Sequence, residues 1–268
     1  MAVAFDAVAY SGEFTNVTSF SWTHTPVSSA PSYVTVHVAF VDVSDPAQRI
    51  SSVTYGSTSL VLSSGETYSE GIRSEMWRAA ISVAGPQTVI VTFNQAHAPV
   101  AEGASLTYDG GGVAVDTDSN EGASGGQTNP DLTLTGSDSD GLCIAHVGVD
   151  TQFVITPDAG QTERATFINT GGSRRVSVST KAGAASVTVG STWATPPDDP
   201  WFHGAILLVD AAEGIVGMPA LPTPSPAGTS VPFPGVPFAP GGEDQGGMYP
   251  WYKSALDISS RLKNVRVI

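Results

Sequence analysis

The stretch YVTVHVAFVD, residues 33–42, indicates the fold class of the chain most directly. Valine recurs at every second position from Val34 to Val38, which is the period of a β-strand, and neither Gly nor Pro interrupts the run. β-Branched residues favour an extended backbone. The stretch therefore predicts a β-strand.

Other stretches of this kind follow at roughly ten-residue spacing, separated by Gly, Pro, Asp and Asn. The chain is 41% hydrophobic and only 13% charged, and no segment before Ala211 shows the 3.6-residue period of an amphipathic helix. Short strands joined by turns predict an all-β fold, an antiparallel β-sandwich or jelly roll. The other predicted strands cover residues 75–83, 87–93, 174–180 and 185–193.

Two parts of this predicted sandwich resemble each other. Three pairs of strand sequences recur about a hundred residues apart, which predicts an internal duplication. The pairs are VHVAFVD (36–42) with AHVGVD (145–150), AGPQTVIV (84–91) with AGAASVTV (182–189), and GASLTYD (103–109) with GAILLVD (204–210).

The duplication predicts a body at residues 1–212, with halves at about 1–110 and 113–210. The connection between the halves, residues 109–130, is rich in Gly and polar residues and predicts a loop without a stiff spacer. One compact unit is therefore expected, and the sequence leaves open whether the halves form one sandwich or two.

The strand and turn strings include SVTYGSTSLVL (52–62), EMWRAAISVAGPQTVIVTF (75–93), STKAGAASVTVGSTW (179–193) and PWFHGAILLV (200–209). Together they resemble a β-sandwich module that recurs in bacterial surface proteins and in structural proteins of tailed bacteriophages. The resemblance covers about residues 4–210. It implies an adhesion or scaffold module and supplies no active-site residues.

The charge and cysteine content argue against several classes of protein. The formal net charge is −14 and the first 210 residues lack a basic cluster with aromatics, so nucleic-acid binding is not expected. Cys143 is the only cysteine, which excludes an internal disulfide. The sequence contains no run of about 18 apolar residues, so membrane insertion is not expected. The opening MAVAFDAVAYSG lacks the pattern of a signal peptide, which predicts synthesis in a cytoplasm.

Two short motifs suggest catalysis or metal binding but lack the necessary context. GASGG (122–126) matches G-x-S-x-G, yet Ser124 stands in a polar loop rather than between a strand and a helix. DTDSNEG (116–122) begins like a calcium loop, but Glu121 replaces the required Gly and Gln127 the required Glu. Turn residues are the favoured interpretation here, so no catalytic residue, metal site or cofactor is predicted. A looser surface metal site is the alternative, formed by Asp116, Asp118 and Asn120 or by Asp138 and Asp140.

The histidines also lack metal-ligand spacing. His37 and His146 occupy corresponding places in the two halves, which indicates a shared structural position. Cys143 and His146 are three residues apart on a predicted strand and so point to opposite faces. The remaining histidines are interpreted as structural residues with satisfied hydrogen bonds: His24, His97 and His203.

Trp193 and Trp201 are the candidate glycan-binding residues. They flank the turn ATPPDDP (194–200), and this position favours exposure of both rings. Exposed aromatic rings can stack on sugars, although large aromatics serve cores more often.

The C-terminal part differs from the body. Prolines recur through residues 213–248, which predicts an extended arm that rises about 3.1 Å per residue. In residues 249–268, Ser254 and Asp257 form a capping box before an apolar stripe at Ile258, Leu262 and Val265, so a short helix is predicted. The segment is also basic, in contrast to the acidic body. The predicted partner-binding residues are Phe233, Phe238, Trp251, Tyr252, Ile258, Arg261, Leu262, Lys263, Val265 and Arg266.

These features predict a non-enzymatic structural protein of a tailed-bacteriophage virion, such as a head decoration, fibre or tail-associated protein, on the particle surface. Its expected partners are other capsid or tail proteins and further copies of itself, with neither nucleic acid nor a membrane among them. The alternatives are a carbohydrate-binding or adhesion module that recognises a host glycan, and a hydrolase in an unfamiliar sandwich.

Overall fold

The computed structural model describes residues 2–41, 49–67, 72–94, 98–110, 113–122, 131–136, 140–150, 153–169, 174–194 and 201–210. The chain divides into two units, Met1–Pro219 and Ala220–Ile268, and all described residues belong to the first. The predicted arm, the terminal segment and the boundary at residue 212 lie outside the described residues.

Every regular element within the described ranges is a β-strand. None of these residues forms a helix long and apolar enough to cross a membrane. The strands are β1 (Ala4–Tyr10), β2 (Phe14–Val17), β3 (Ser19–His24), β4 (Tyr33–Val41), β5 (Ile50–Tyr55), β6 (Thr58–Ser59), β7 (Val61–Thr67), β8 (Ile72–Ala80), β9 (Gln87–Phe93), β10 (Ala98–Asp109), β11 (Val113–Gly122), β12 (Asp131–Thr135), β13 (Leu142–Val149), β14 (Ile155–Pro157), β15 (Thr162–Asn169), β16 (Arg174–Ala182), β17 (Ser186–Trp193) and β18 (Trp201–Val209).

The strands form four antiparallel sheets. The first large sheet has the order β1-β10-β4-β8-β7, with β2 also paired to β10, and the first small sheet has the order β3-β9-β5-β6. The second large sheet has the order β11-β18-β13-β16-β15, and the second small sheet β12-β17-β14. The predicted all-β, antiparallel class is confirmed.

The apolar side chains place these sheets in a stack of four layers. One core lies between the first small and first large sheets, and two smaller clusters lie between the second large and second small sheets. The remaining core, which we call the central layer, lies between the two large sheets and joins both halves of the chain. Its buried residues are Val3, Tyr33, Ala39, Met76, Ala104, Leu106, Tyr108, Leu142, Ile144, Ala165, Phe167, Val176, Val178, Ile206 and Leu208.

The middle strands of the two large sheets, β4 and β13, are buried on both faces. In β4, Val36 and Val38 face the first small sheet, whereas Tyr33 faces the central layer. In β13, Ala145 faces the second small sheet and Ile144 the central layer. A strand covered on both sides requires a nearly continuous apolar run, and the stretch at residues 33–42 has that composition.

The two large sheets share one strand order. Replacing β1, β10, β4, β8 and β7 in turn by β11, β18, β13, β16 and β15 converts the first order into the second. The register also corresponds, since His37 lies opposite Ala104 and Met76, and His146 lies opposite Gly204 and Val178. Contacts across the central layer are reciprocal, because β7 lies against β18 while β15 lies against β10.

The sequence prediction was wrong about the connection between the halves. Residues 109–130 were predicted as a loop, but Val113–Gly122 forms β11, which pairs with β18. Asp, Ser and Asn are depleted in strands, and this composition masked the strand in the sequence. β11 is an edge strand, so the backbone hydrogen bonds to β18 determine its conformation despite its low β-propensity.

Two glycines of the second large sheet allow the first large sheet to approach closely. A Cβ added at Gly204 would meet Ser64 Oγ and, at 2.8 Å, the Phe202 ring. A Cβ added at Gly148 would meet Ser74 Oγ at 3.2 Å. The first position has no space for a methyl group, whereas the second needs only a small shift.

We expect Gly204→Ala to lower the free energy of unfolding by about 1–3 kcal/mol, because overpacking displaces side chains in a close-packed interior. Gly148→Ala is the matched control and should change stability by less, since the loss of chain entropy on folding is smaller for Ala than for Gly. Urea denaturation followed by tryptophan fluorescence measures both. Equal stability of the Gly204→Ala protein and the wild type would contradict this account of the close approach.

Candidate functional site

Two histidines meet at the middle of the central layer. His37 lies on β4 and His146 on β13, and both are fully buried. Their Nδ1 atoms are 2.9 Å apart and their ring centroids 5.0 Å apart. Phe202 packs edge-on against the His146 ring at 5.6 Å. The contact between His37 and His146 joins the first half of the chain to the second.

Hydroxyl groups occupy the other ring nitrogens of the pair. His37 Nε2 is 2.9 Å from Thr35 Oγ1, which lies 3.3 Å from the Tyr108 hydroxyl. Ser74 Oγ is hydrogen-bonded to Nε2 of His146. Tyr108, Thr35, His37, His146 and Ser74 thus form one hydrogen-bonded chain, which we call the central chain.

The central chain has two self-consistent proton arrangements. A hydrogen bond between two Nδ1 atoms requires one donor and one acceptor. If His37 donates, its Nε2 accepts from Thr35, and Nε2–H of His146 donates to Ser74. If His146 donates, every bond reverses. In both arrangements two neutral imidazoles satisfy all four ring nitrogens.

Burial keeps these imidazoles neutral near pH 7. Removal from water disfavours a charged imidazole and lowers the pKa of His37 to about 3. Burial also holds the pKa of His146 well below its ordinary value, and the nearby His37 and His203 lower it further. Neither pKa is influenced by an opposing carboxylate.

A second buried network lies between the first large and first small sheets. His24 Nδ1 is 2.6 Å from Ser105 Oγ, and His24 Nε2 is 3.2 Å from Thr107 Oγ1. Trp22 Nε1 donates to Ser105 Oγ at 2.9 Å, and Thr107 Oγ1 donates to Asp6 Oδ2 at 2.8 Å. We call these five residues the outer network.

Asp6 fixes the direction of the protons in the outer network. Thr107 donates its only hydroxyl proton to Asp6, so it accepts from Nε2–H of His24. The neutral imidazole therefore accepts at Nδ1 from the Ser105 hydroxyl, which itself accepts from Trp22 Nε1–H. Burial lowers the pKa of His24 to about 4, although Asp6 and Ser105 act in the opposite direction.

The outer network has the residue types of a hydroxyl nucleophile, an imidazole base and a carboxylate, but it lies inside the core. Ser105, His24 and Thr107 are fully buried, so a substrate has no access to the serine oxygen. Thr107 also separates the imidazole from Asp6, whereas a catalytic triad has direct contact. The arrangement satisfies buried polar groups and orders the fold.

We expect Ser105→Ala to lower the free energy of unfolding by about 1–3 kcal/mol, because the change leaves Trp22 Nε1–H and His24 Nδ1 without their shared partner. Ser19→Ala, in an exposed position on β3, is the matched control and should have little effect. Thermal unfolding of the two variants at pH 7 compares them. A Ser105→Ala protein as stable as Ser19→Ala would show that the network contributes no stability.

The structure contradicts the predicted exposure of the two candidate glycan-binding tryptophans. Trp193 and Trp201 are only 6% and 3% exposed, and their ring centroids lie 6.3 Å apart within a cluster with Val147, Val149 and Ile155. Trp193 is the last residue of β17 and Trp201 is the first residue of β18. In both strands the side chain at this position points inward. The turn that separates them in sequence therefore did not determine their exposure.

The structural interpretation of the histidines is confirmed for His24, His37 and His146, which all have hydrogen-bond partners. Cys143 and His146 do face opposite sides of β13, since Cys143 lies in the cluster below the second small sheet. His203 is buried on β18, and His97 lies outside the described residues. Within the described ranges no group of three or more His, Cys, Asp or Glu side chains could hold a metal ion.

Most of the remaining candidate residues lie outside the described parts of the chain. Ser124, Gln127 and Asp138 fall outside the described residues, as do all ten predicted partner-binding residues between Phe233 and Arg266. Asp116, Asp118 and Asn120 belong to the backbone of β11 rather than to a turn.

Sequence reasoning missed the hydroxyl partners of the buried histidines. Thr35, Ser74 and Ser105 lie inside predicted strands or beside apolar residues and carry no distinctive motif. The available signal was the alternation itself, because Thr35 and His37 are two residues apart and must share a face. The partners from other strands depend on pairing and register, which the sequence pattern does not specify.

No protein-family model, curated protein or solved structure matches this chain.

Proposed function

We propose that this chain is a non-enzymatic structural protein of a tailed-bacteriophage particle. One observation carries the proposal: the two halves pack through a central layer that encloses a continuous hydrogen-bonded chain, so the described body forms a single packed stack. Such a body suits a display or scaffold role, in which shape and stability matter more than an accessible cleft. The sequence resemblance to modules of phage structural proteins supports the same assignment.

The body is proposed to be a duplicated sandwich. The shared strand order of the two large sheets and the corresponding positions of His37 and His146 support this view, together with the sequence pairs near residues 36 and 145. Each half contributes one large and one small sheet with a core between them. The proposed architecture is a β-sandwich or jelly roll built from two similar halves.

The C-terminal segment is proposed to attach the body to a neighbouring virion protein. Residues 249–268 contain Lys253, Arg261, Lys263 and Arg266 against Asp257 alone, whereas the whole chain has a net charge of −14. Opposite charge assists encounter with an acidic surface, and the apolar stripe at Ile258, Leu262 and Val265 would fill a groove on it.

Density-gradient fractionation of particles from the source culture tests the proposed function. Peptides of this chain, detected by mass spectrometry, should sediment with intact particles and remain after a high-salt wash. Recovery of the chain only in particle-free fractions would exclude a stable virion component.

We expect Leu262→Asp to weaken attachment at least about a hundredfold, because an unpaired charge would enter the apolar groove. Ser260→Asp adds the same charge on the opposite side of the predicted helix and serves as the matched control. A truncation after Gly247 should abolish attachment. Incorporation into particles, quantified by mass spectrometry, measures all three, and undiminished incorporation of Leu262→Asp and the truncation would assign attachment to the body instead.

A further inference from the structure

We propose that the contact between His37 and His146 is an acid-sensitive latch, which holds the two large sheets together while both imidazoles are neutral and releases them when both are protonated. The latch lies between corresponding strands of the two halves, with 2.9 Å between the two Nδ1 atoms. Its release would expose the central layer while the outer core of each half stays packed.

The number of protons on the two Nδ1 atoms decides whether the hydrogen bond between the histidines can form. With no added proton, one Nδ1–H donates to the other Nδ1. With one added proton, an imidazolium still donates to a neutral imidazole, so the bond survives. With two, both Nδ1 atoms carry hydrogen, the bond is lost and two positive charges lie in contact. Opening is therefore coupled to two protons.

The surroundings of the pair do not compensate those charges. On the first large sheet, Arg78 donates to the Tyr33 hydroxyl and is itself positive. Glu102, on β10 opposite Ala39, has its pKa raised to about 7 by burial and by Glu13, so it too becomes neutral in acid. His203 is the further titratable group that acts on His146, and Tyr108 reaches His37 through Thr35. Other charged or titratable side chains on the strands of the two large sheets include Tyr33, Arg78, Glu102 and Arg164.

The packing around the pair favours separation between the halves over loss of either half. Each large sheet has a second apolar core on its other face, which contains no part of the latch. Beside His146, Gly148 closely approaches Ser74 of the first half, and the large ring that packs on His146, Phe202, belongs to the same half as His146. Two histidines thus act on the central layer, whereas His24 alone acts on the outer core of the first half.

Cysteine labelling distinguishes opening of the central layer from global unfolding. Ala104 and Ala101 lie on the same strand and are fully buried, but Ala104 faces the central layer and Ala101 the core of the first half. Ala104→Cys reports on the latch, and Ala101→Cys is its matched control. Native Cys143, in the outer core of the second half, is a third reporter. Ala39→Cys can replace Ala104→Cys, because Ala39 also lies in the central layer.

The full chain is labelled with a pyridyl disulfide between pH 7 and pH 4, and each modified cysteine is quantified by mass spectrometry. We expect labelling at position 104, relative to position 101, to rise at least tenfold between pH 7 and pH 4.5. The ratio removes the pH dependence of the reagent. In the His37→Gln/His146→Gln protein the rise in this labelling ratio should be lost. In the His37→Gln protein the logarithm of the ratio should depend on pH with a slope smaller by about one, because one proton fewer is coupled to opening.

Each other outcome overturns the latch. Protection of position 104 down to pH 4 would show that the central layer stays closed. Simultaneous labelling of positions 104, 101 and 143 would show global unfolding instead of separation. An equal rise in the double Gln variant would show that groups other than the two histidines control opening.

Discussion

Replacing Trp201 by Ala should lower the free energy of unfolding by about 3–5 kcal/mol, because the change removes one of the two indole rings of a closed cluster and leaves a cavity. The indole is 3% exposed and packs with Trp193, Val147 and Ile155 between the second large and second small sheets. A ring that served as a sugar platform would stand in water, and its removal would affect binding with little change in stability. Urea denaturation at pH 7 gives the free energy directly.

Tyr10→Ala is the control for this substitution. Tyr10 is also a large aromatic at the end of a strand, but it is 46% exposed, so its removal should cost well under half as much. A Trp201→Ala protein with nearly wild-type stability would show that the cluster is open in solution and would restore Trp193 and Trp201 as glycan-binding candidates.

Acidification should destabilise the body, moderately from about pH 6.5 to pH 4.5 and strongly below pH 4.5. The folded-state pKa is lowered to about 4 for His24 and to about 3 for His37, and it is well below 6.5 for His146. Below pH 6.5 the unfolded chain therefore binds more protons than the folded chain, so the free energy of unfolding decreases as the pH decreases. Each histidine contributes up to about 1.4 kcal/mol per pH unit.

Two buried carboxyl groups oppose this trend over part of the range. Burial raises the pKa of Glu102 to about 7 and also raises that of Glu75. Each is protonated more readily in the folded chain, so each adds stability as the pH falls towards 4.5, and for Glu102 this range begins at about pH 7. The net slope should thus be moderate above pH 4.5 and steeper below it, where the unfolded carboxyl groups are protonated as well.

Urea denaturation at pH 7, 5.5, 4.5 and 4 measures this profile. His24→Gln removes one titrating group outside the central layer, and His37→Gln/His146→Gln removes the pair within it. Each variant should reduce the histidine contribution to the pH dependence of the free energy of unfolding, by about one third for the single variant and about two thirds for the double variant. A free energy of unfolding independent of pH between 6.5 and 4 would mean that the three imidazoles are hydrated in solution.

The strands that alternate or run apolar could be read from the sequence. β9 spans Gln87–Phe93 as predicted, and β4 ends at Val41, one residue before the predicted end. These segments carry β-branched residues at a period of two, which is a local property. β11 could not be read in this way, because its pairing with β18 comes from a distant part of the chain.

The buried networks were only partly predictable. The corresponding positions of His37 and His146 were visible in the sequence pairs, and the alternation rule placed Cys143 and His146 on opposite faces. That the two imidazoles would touch each other depended on the packing of one sheet against another. Likewise, the exposure of Trp193 and Trp201 depended on whether a further strand, β14, covers them. Sheet stacking is a tertiary property without a local signature.

The reciprocal packing of the large sheets has a consequence for assembly. β7 contacts β18 while β15 contacts β10, and His37 meets its own counterpart, His146, as groups do on the two-fold axis of an isologous dimer. Here both protomer-like halves belong to one polypeptide, so their association is intramolecular, at an effective concentration in the millimolar range for a short linker. An interface of only modest intrinsic affinity would then stay closed at any dilution. Covalent linkage thus makes the closed form independent of protein concentration, and in the proposed latch protonation is the variable that opens it.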